Sequence, residues 1–103
     1  MISTINISTS SSEEFIDITS LVEEKVRASG IKEGTVTVFI PHTTAAVTIN
    51  ENADPSVVED IISALDKIIP PRGNYSHMEG NSHAHIKSSL IGSSRQIIIQ
   101  NPW

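Results

Sequence analysis

The sequence predicts an α+β chain, because short runs with strand periodicity interrupt segments with helical periodicity along its 103 residues. Three stretches carry that prediction. Residues 2–9 alternate with Ile5 and Ile7 on one side, and residues 35–40 read Thr-Val-Thr-Val-Phe-Ile, a β-branched run suited to a pleated surface. Between Val57 and Ile69, Val57, Val58, Ile61, Ile62, Leu65, Ile68 and Ile69 recur at the spacing of one helix face.

From the N-terminus, residues 2–9 form a first strand, Ser10 to Glu14 a polar turn, and Phe15, Ile16 and Ile18 a second strand, so a hairpin is expected. Ser20 and Glu23 stand at the spacing of a capping box, which opens a helix over about residues 20–29 that Gly30 ends. Residues 35–40 follow as a strand delivering Pro41 and His42, and residues 45–50 as the next. Asp54 caps the second helix, and Pro55 suits its first position because a proline there forfeits no hydrogen bond. Pro70 and Pro71 stop it. Residues 82–91 fit a short helix better than a strand, and Ile97, Ile98 and Ile99 form a buried strand. The whole of 1–103 reads as one domain with no internal repeat.

The composition excludes several classes of function. With no cysteine, disulfides, thiolate nucleophiles and sulfur-held metals are out, so a transition metal would need imidazole and oxygen. A net charge of −5 argues against a nucleic-acid partner, whose phosphates call for basic residues. No run approaches the roughly 18 apolar residues of a membrane span, and the sequence does not open with the basic-then-apolar order of a signal peptide. A soluble cytoplasmic protein is expected. The charge is uneven: residues 1–71 balance to −7, whereas residues 72–103 carry Arg72, Lys87 and Arg95 against Glu79 alone, a balance of +2. An anionic small molecule is better tolerated at that end.

That end also holds three of the four histidines, His77, His83 and His85, within nine residues that include Glu79 and Gly80; the fourth is His42. A catalytic zinc site takes about three protein ligands and leaves a position for water or substrate. His42, His77 and His85 are the candidate trio, with Glu79, Glu51, Asn50 and Asn81 as neighbours able to orient their rings. No fixed-frame motif such as HExxH is present, so spacing leaves a metal site and ordinary surface histidines equally open. His83 is the least needed member. Glu51 admits three roles: loop residue, oxygen ligand to a cation, or general base. Thr43 and Thr44 offer hydroxyls to an anion, although strand chemistry alone accounts for them; Lys87 and Arg72 are candidate cations for a phosphate, although single basic residues are usually solvated surface. No serine sits in a recognisable nucleophile elbow.

Pro41-His42-Thr43-Thr44-Ala45, the run from Thr48 to Pro55, His77-Met78-Glu79-Gly80-Asn81, and the run from Ala84 to Gly92 together resemble the YjbQ-like family, described as secondary thiamine-phosphate synthase enzymes. The resemblance implies a barrel-like, mostly antiparallel sheet with two main helices, assembled as a homotrimer with its histidine segments near subunit boundaries. It matches His42, His77 and His85 to the family's recurrent histidines. Asn50, Glu51, Asn52, Asp54, Glu79, Gly80 and Asn81 match its recurrent polar residues, and His83 falls at a variable position. Family members usually continue into Gly-Thr-Trp-Gln-like and Glu-Phe-Asp-Gly-Pro-Arg-like segments, so this chain is expected to be C-terminally incomplete relative to them.

The resulting expectation is a small enzyme binding a divalent metal, zinc by donor chemistry, through His42, His77 and His85. Glu79 and Glu51 would carry protons, and Thr43, Thr44, Asn50, Asn81 and Lys87 would bind a phosphorylated small molecule. The implied reaction joins a thiazole phosphate to a pyrimidine pyrophosphate with loss of pyrophosphate. The alternative is a non-catalytic trimeric protein that binds an anionic metabolite.

Overall fold

A computed structural model describes residues 1–100. Its elements run α1 (Thr19–Ser29), β1 (Gly34–Phe39), α2 (Pro55–Ile68), α3 (Ser82–Ile91) and β2 (Ser94–Ile99). The α+β class is therefore correct, with three helices among the described residues. β1 and β2 form a two-stranded sheet. The amide of Ile40, just past β1, donates to the carbonyl of Ser93, just ahead of β2, so the strands run antiparallel. Among the described residues the sheet has these two strands and does not close, so the expected barrel-like form is not confirmed.

The described residues form two compact units, one of Met1–Val36 with the chain from Ile98 onward, the other of Thr37–Ile97. In the first, α1 begins one residue earlier than its sequence signal and without the expected capping box. The carboxylate of Asp17 accepts from both the amide and the hydroxyl of Thr19, at 2.9 and 2.6 Å, which ties down the helix start at Thr19, one residue before Ser20. Gly30 closes α1 at φ 75°, a left-handed geometry that a Cβ opposes, and its amide donates to the Arg27 carbonyl. Val26 and Ile99 are buried in this unit.

The expected hairpin over residues 2–18 forms only at its turn. The Glu14 carboxylate accepts from the Ser10 amide at 2.7 Å and from its hydroxyl at 3.2 Å, and the Ser10 amide bond foremost holds Glu14 below the usual carboxylate range. The flanking residues 2–9 and 15–18 are not strands. A strand exists only as one side of a ladder, and alternation of Ile5 with Ile7 supplies a face without supplying a partner. The same holds for residues 45–50, where the Val47 amide donates to Gly92 at 3.1 Å but no strand develops.

In the second unit, Asp54 caps α2 as expected, accepting from the Ser56 amide and hydroxyl at 2.9 and 2.8 Å, with Pro55 at the first position. The Ser56 amide is the larger cause of an Asp54 carboxyl held below its ordinary range. The apolar stripe of α2 is less enclosed than its pattern predicts. Val57, Val58, Ile61, Ile62 and Leu65 are half-buried, Ile68 is 73% exposed, and Ile69, just past the helix, is buried. Beyond Pro70 the chain is pinned by the Tyr75 hydroxyl, which donates to the Pro70 carbonyl at 2.6 Å.

Candidate functional site

Every expected site residue falls in the unit spanning residues 37–97. α3 organises them. Gly80, at φ 76°, turns the chain out of the His77–Glu79 segment, and Asn81 then starts the helix by accepting both the Ala84 and His85 amides on its carbonyl oxygen. His85 thereby sits on the first full turn of α3. His77, from the preceding segment, meets it edge to face, with ring centroids 5.3 Å apart and planes 85° apart. Such T-shaped contacts suit the electron-poor edge of one ring and the electron-rich face of the other. On the other side of His77, its Nε2 lies 3.7 Å from a carboxylate oxygen of Glu79.

These three side chains are the part of the expected site that the structure gathers. His77 is 42% and Glu79 76% exposed, so the group opens to solvent. The Glu79 carboxylate and the imidazole Nε2 form a pair of the kind that general acid–base chemistry uses. The wider metal trio does not assemble: among the described residues no three side chains of His, Asp or Glu gather closely enough to hold one ion. His42 is exposed beside a bend at Thr43 and Thr44, which are exposed as well.

The remaining expected residues have local employment. Asn50 accepts the Glu51 amide on Oδ1 at 2.7 Å, and the Glu51 side chain is exposed. Lys87 does not stand ready for a phosphate: its ammonium is paired with Asp66 of α2, the two side chains 15% and 32% exposed. That pair fastens α3 to α2. Asn81 caps no amide with its side chain, and its Oδ1 is buried without a hydrogen-bond partner among the described residues.

Three residues escaped the sequence reading. His83, set aside there as dispensable, has its Nδ1 buried and without a hydrogen-bond partner among the described residues. Asp66 carries no motif and gains its role only because α3 presents Lys87 to it. Ser88 is the buried polar residue of the unit, and its hydroxyl donates to the Ala45 carbonyl at 2.6 Å. Asp66 and Ser88 have no sequence signal, since each depends on which helix faces lie together, whereas His83 stood in the histidine cluster and was set aside. A surface groove of about 540 Å³ runs along α2 by Glu59, Ile62, Ser63, Asp66 and Lys67 and contains no expected site residue.

Comparison with known proteins gives a consistent relationship. The profile of the family described as UPF0047 protein YjbQ-like matches residues 3–102. The UPF0047 protein of Methanocaldococcus jannaschii is 52% identical over 95 residues, which are 92% of this chain and 69% of that one. YugU of Bacillus subtilis, another UPF0047 protein, is 44% identical over 102 residues, covering 98% of this chain and 77% of its own. Among solved structures, an uncharacterised yjbq/upf0047 protein from Clostridium acetobutylicum superposes with a TM-score of 0.90 at 60% identity, over 92% of this chain and 74% of that one. A YbjQ-like protein of unknown function from Sulfolobus solfataricus gives 0.87 at 33% identity, over 91% and 69%. The chain belongs to the UPF0047, YjbQ-like family, whose relatives named here are uncharacterised.

Proposed function

We propose that the His77–Glu79–His85 group at the start of α3 binds a phosphorylated small molecule and moves a proton on it. The observation carrying this proposal is the placement of His77 between a carboxylate 3.7 Å away and a second imidazole with its centroid 5.3 Å away. His77, beside the Glu79 carboxylate, offers a hydrogen bond to an anionic oxygen and a proton to a leaving oxygen. The positive balance of residues 72–103 supports an anionic ligand at this end. Asn81, Thr43 and Thr44 supply the neutral polar contacts. Glu51 is the second proton carrier to test, and Asn50 supports its loop. Lys87, engaged by Asp66, serves to hold α3 in place.

A divalent metal fits this group only in part. His77 and His85 have the donor chemistry for zinc, with His42 as the proposed third ligand, yet the described residues do not bring a trio together, so no step here passes through a metal. Homotrimeric assembly and a thiamine-phosphate-synthase-like condensation are the finer proposals drawn from the family resemblance. Steady-state thiamine phosphate formation by the chain and by His77→Ala tests the reaction: turnover lost in the variant supports it, and equal rates exclude it. The openness of the group favours a second reading, a binder without turnover, because nothing excludes water from His77 or Glu79. Saturable phosphate binding with no turnover identifies that case.

A further inference from the structure

We infer that Ser88 is a positioning residue of this site: its buried hydroxyl docks the turn bearing His42, Thr43 and Thr44 against the His85 face of α3. The inference rests on the function proposed above. Two adjacent serines make the case. A serine inside a helix ordinarily returns its hydroxyl to the carbonyl four residues back, and Ser89 does so, donating to His85 at 2.9 Å. Ser88, only 9% exposed, instead sends its hydroxyl out of the helix to the Ala45 carbonyl, 43 residues away in sequence, at 2.6 Å.

Helix geometry fixes what that bond brings together. Residues three apart share a face, so Ser88 lies one turn along from His85 on the same side of α3. Ala45 directly follows Thr44, so anchoring its carbonyl brings the 42–44 turn to the helix that carries His85. A second bond keeps the segment in line: the Val47 amide donates to the carbonyl of Gly92, the residue that ends α3, at 3.1 Å. The two bonds hold residues 45 and 47 at two successive points along α3. Without the Ser88 donor the Ala45 carbonyl loses this bond, and the turn is left with the flanking Ile40–Ser93 and Val47–Gly92 backbone bonds.

The test is amide hydrogen exchange by NMR and titration with inorganic phosphate on the full chain, in the wild type, Ser88→Ala, Ser88→Thr and Ser89→Ala. Ser88→Ala is expected to speed exchange of the Val47 amide about tenfold and to weaken phosphate binding by about fivefold or more. Ser88→Thr keeps the donor and restores both, and Ser89→Ala leaves both unchanged. Should Ser88→Ala not fold, Ser88→Cys retains the bulk with a weak donor and gives the same two effects. Unchanged Val47 exchange overturns the docking. Faster Val47 exchange with undiminished phosphate binding overturns the positioning role and leaves Ser88 a plain structural anchor. If no protein in the series takes phosphate while Val47 responds, the proposed function falls and the docking of the turn stands.

Discussion

Replacing Lys87 by Met removes a charge from between α2 and α3 and leaves Asp66 facing the methionine. Removing one partner of a fully buried ion pair costs about 3 to 5 kcal/mol, because the surviving charge is left without compensation. Here the side chains are 15% and 32% exposed, so water reaches Asp66 and screens part of that penalty. A loss of about 2 kcal/mol is therefore expected. At a slope of about 1 to 2 kcal/mol per molar urea, suited to a chain of this size, the unfolding midpoint falls by about 1 to 2 M. The double variant Lys87→Met, Asp66→Leu removes the remaining charge of the pair and recovers most of the loss. Phosphate affinity of the folded Lys87→Met protein stays within about twofold of wild type, since the ammonium serves Asp66 rather than the ligand. A stability unchanged to within about 0.5 kcal/mol refutes the pairing. A tenfold loss of phosphate affinity at unchanged stability assigns Lys87 to the ligand instead.

Other predictions concern the elements that place the site. Asp54 is held below its ordinary pKa by the Ser56 amide, so its stabilising effect is full above the ordinary carboxylate range and lost as pH falls through the lowered value. Urea unfolding of Asp54→Ala should thus show a protein less stable than wild type at neutral pH and equal to it in strong acid. A gap that persists in acid contradicts the cap. At the start of α1, Asp17→Ala costs about 0.5 to 1 kcal/mol by thermal unfolding whereas Ser20→Ala is nearly silent, and the reverse order restores the capping box. Gly80→Ala meets no atom within 4 Å but must adopt φ 76°, so it costs about 1 kcal/mol through backbone strain alone. A crystal structure of that variant should show the turn kept and no side chain displaced.

The helices were legible in the sequence because their signals are local. Asp54 with Pro55, the 3.6-residue stripe of α2, and Gly30 after α1 each act within a turn or two, and the structure follows them closely. The strands divide by a different rule. Residues 34–39 and 94–99 found each other, whereas residues 2–9, 15–18 and 45–50, with equally good alternation, did not become strands. Alternation specifies a face, and pairing requires a second segment that no local pattern names. The capping box is absent because α1 starts one residue before Ser20, at Thr19, whose amide donates to Asp17.

The site was legible to the same depth. His77, Glu79 and His85 are close in sequence, and one turn at Gly80 followed by one helical turn brings them together. The contributions of Asp66 and Ser88 come from segments 21 and 43 residues from their partners, Lys87 and Ala45. Those depend on helix packing, which hydrophobic spacing alone leaves undetermined. His42 illustrates the limit: its family motif marks it, and its place relative to the other histidines is a property of the folded chain.

The central claim is that His77, flanked by Glu79 and His85, is the contact point for a phosphorylated ligand. Isothermal titration of inorganic phosphate into the wild type and into His77→Ala at neutral pH tests it most directly. The account predicts saturable binding to the wild type at one site per chain, weakened about tenfold or more in the variant by loss of a charge-assisted hydrogen bond. Equal affinity in the two proteins, or no saturable binding to either, contradicts it.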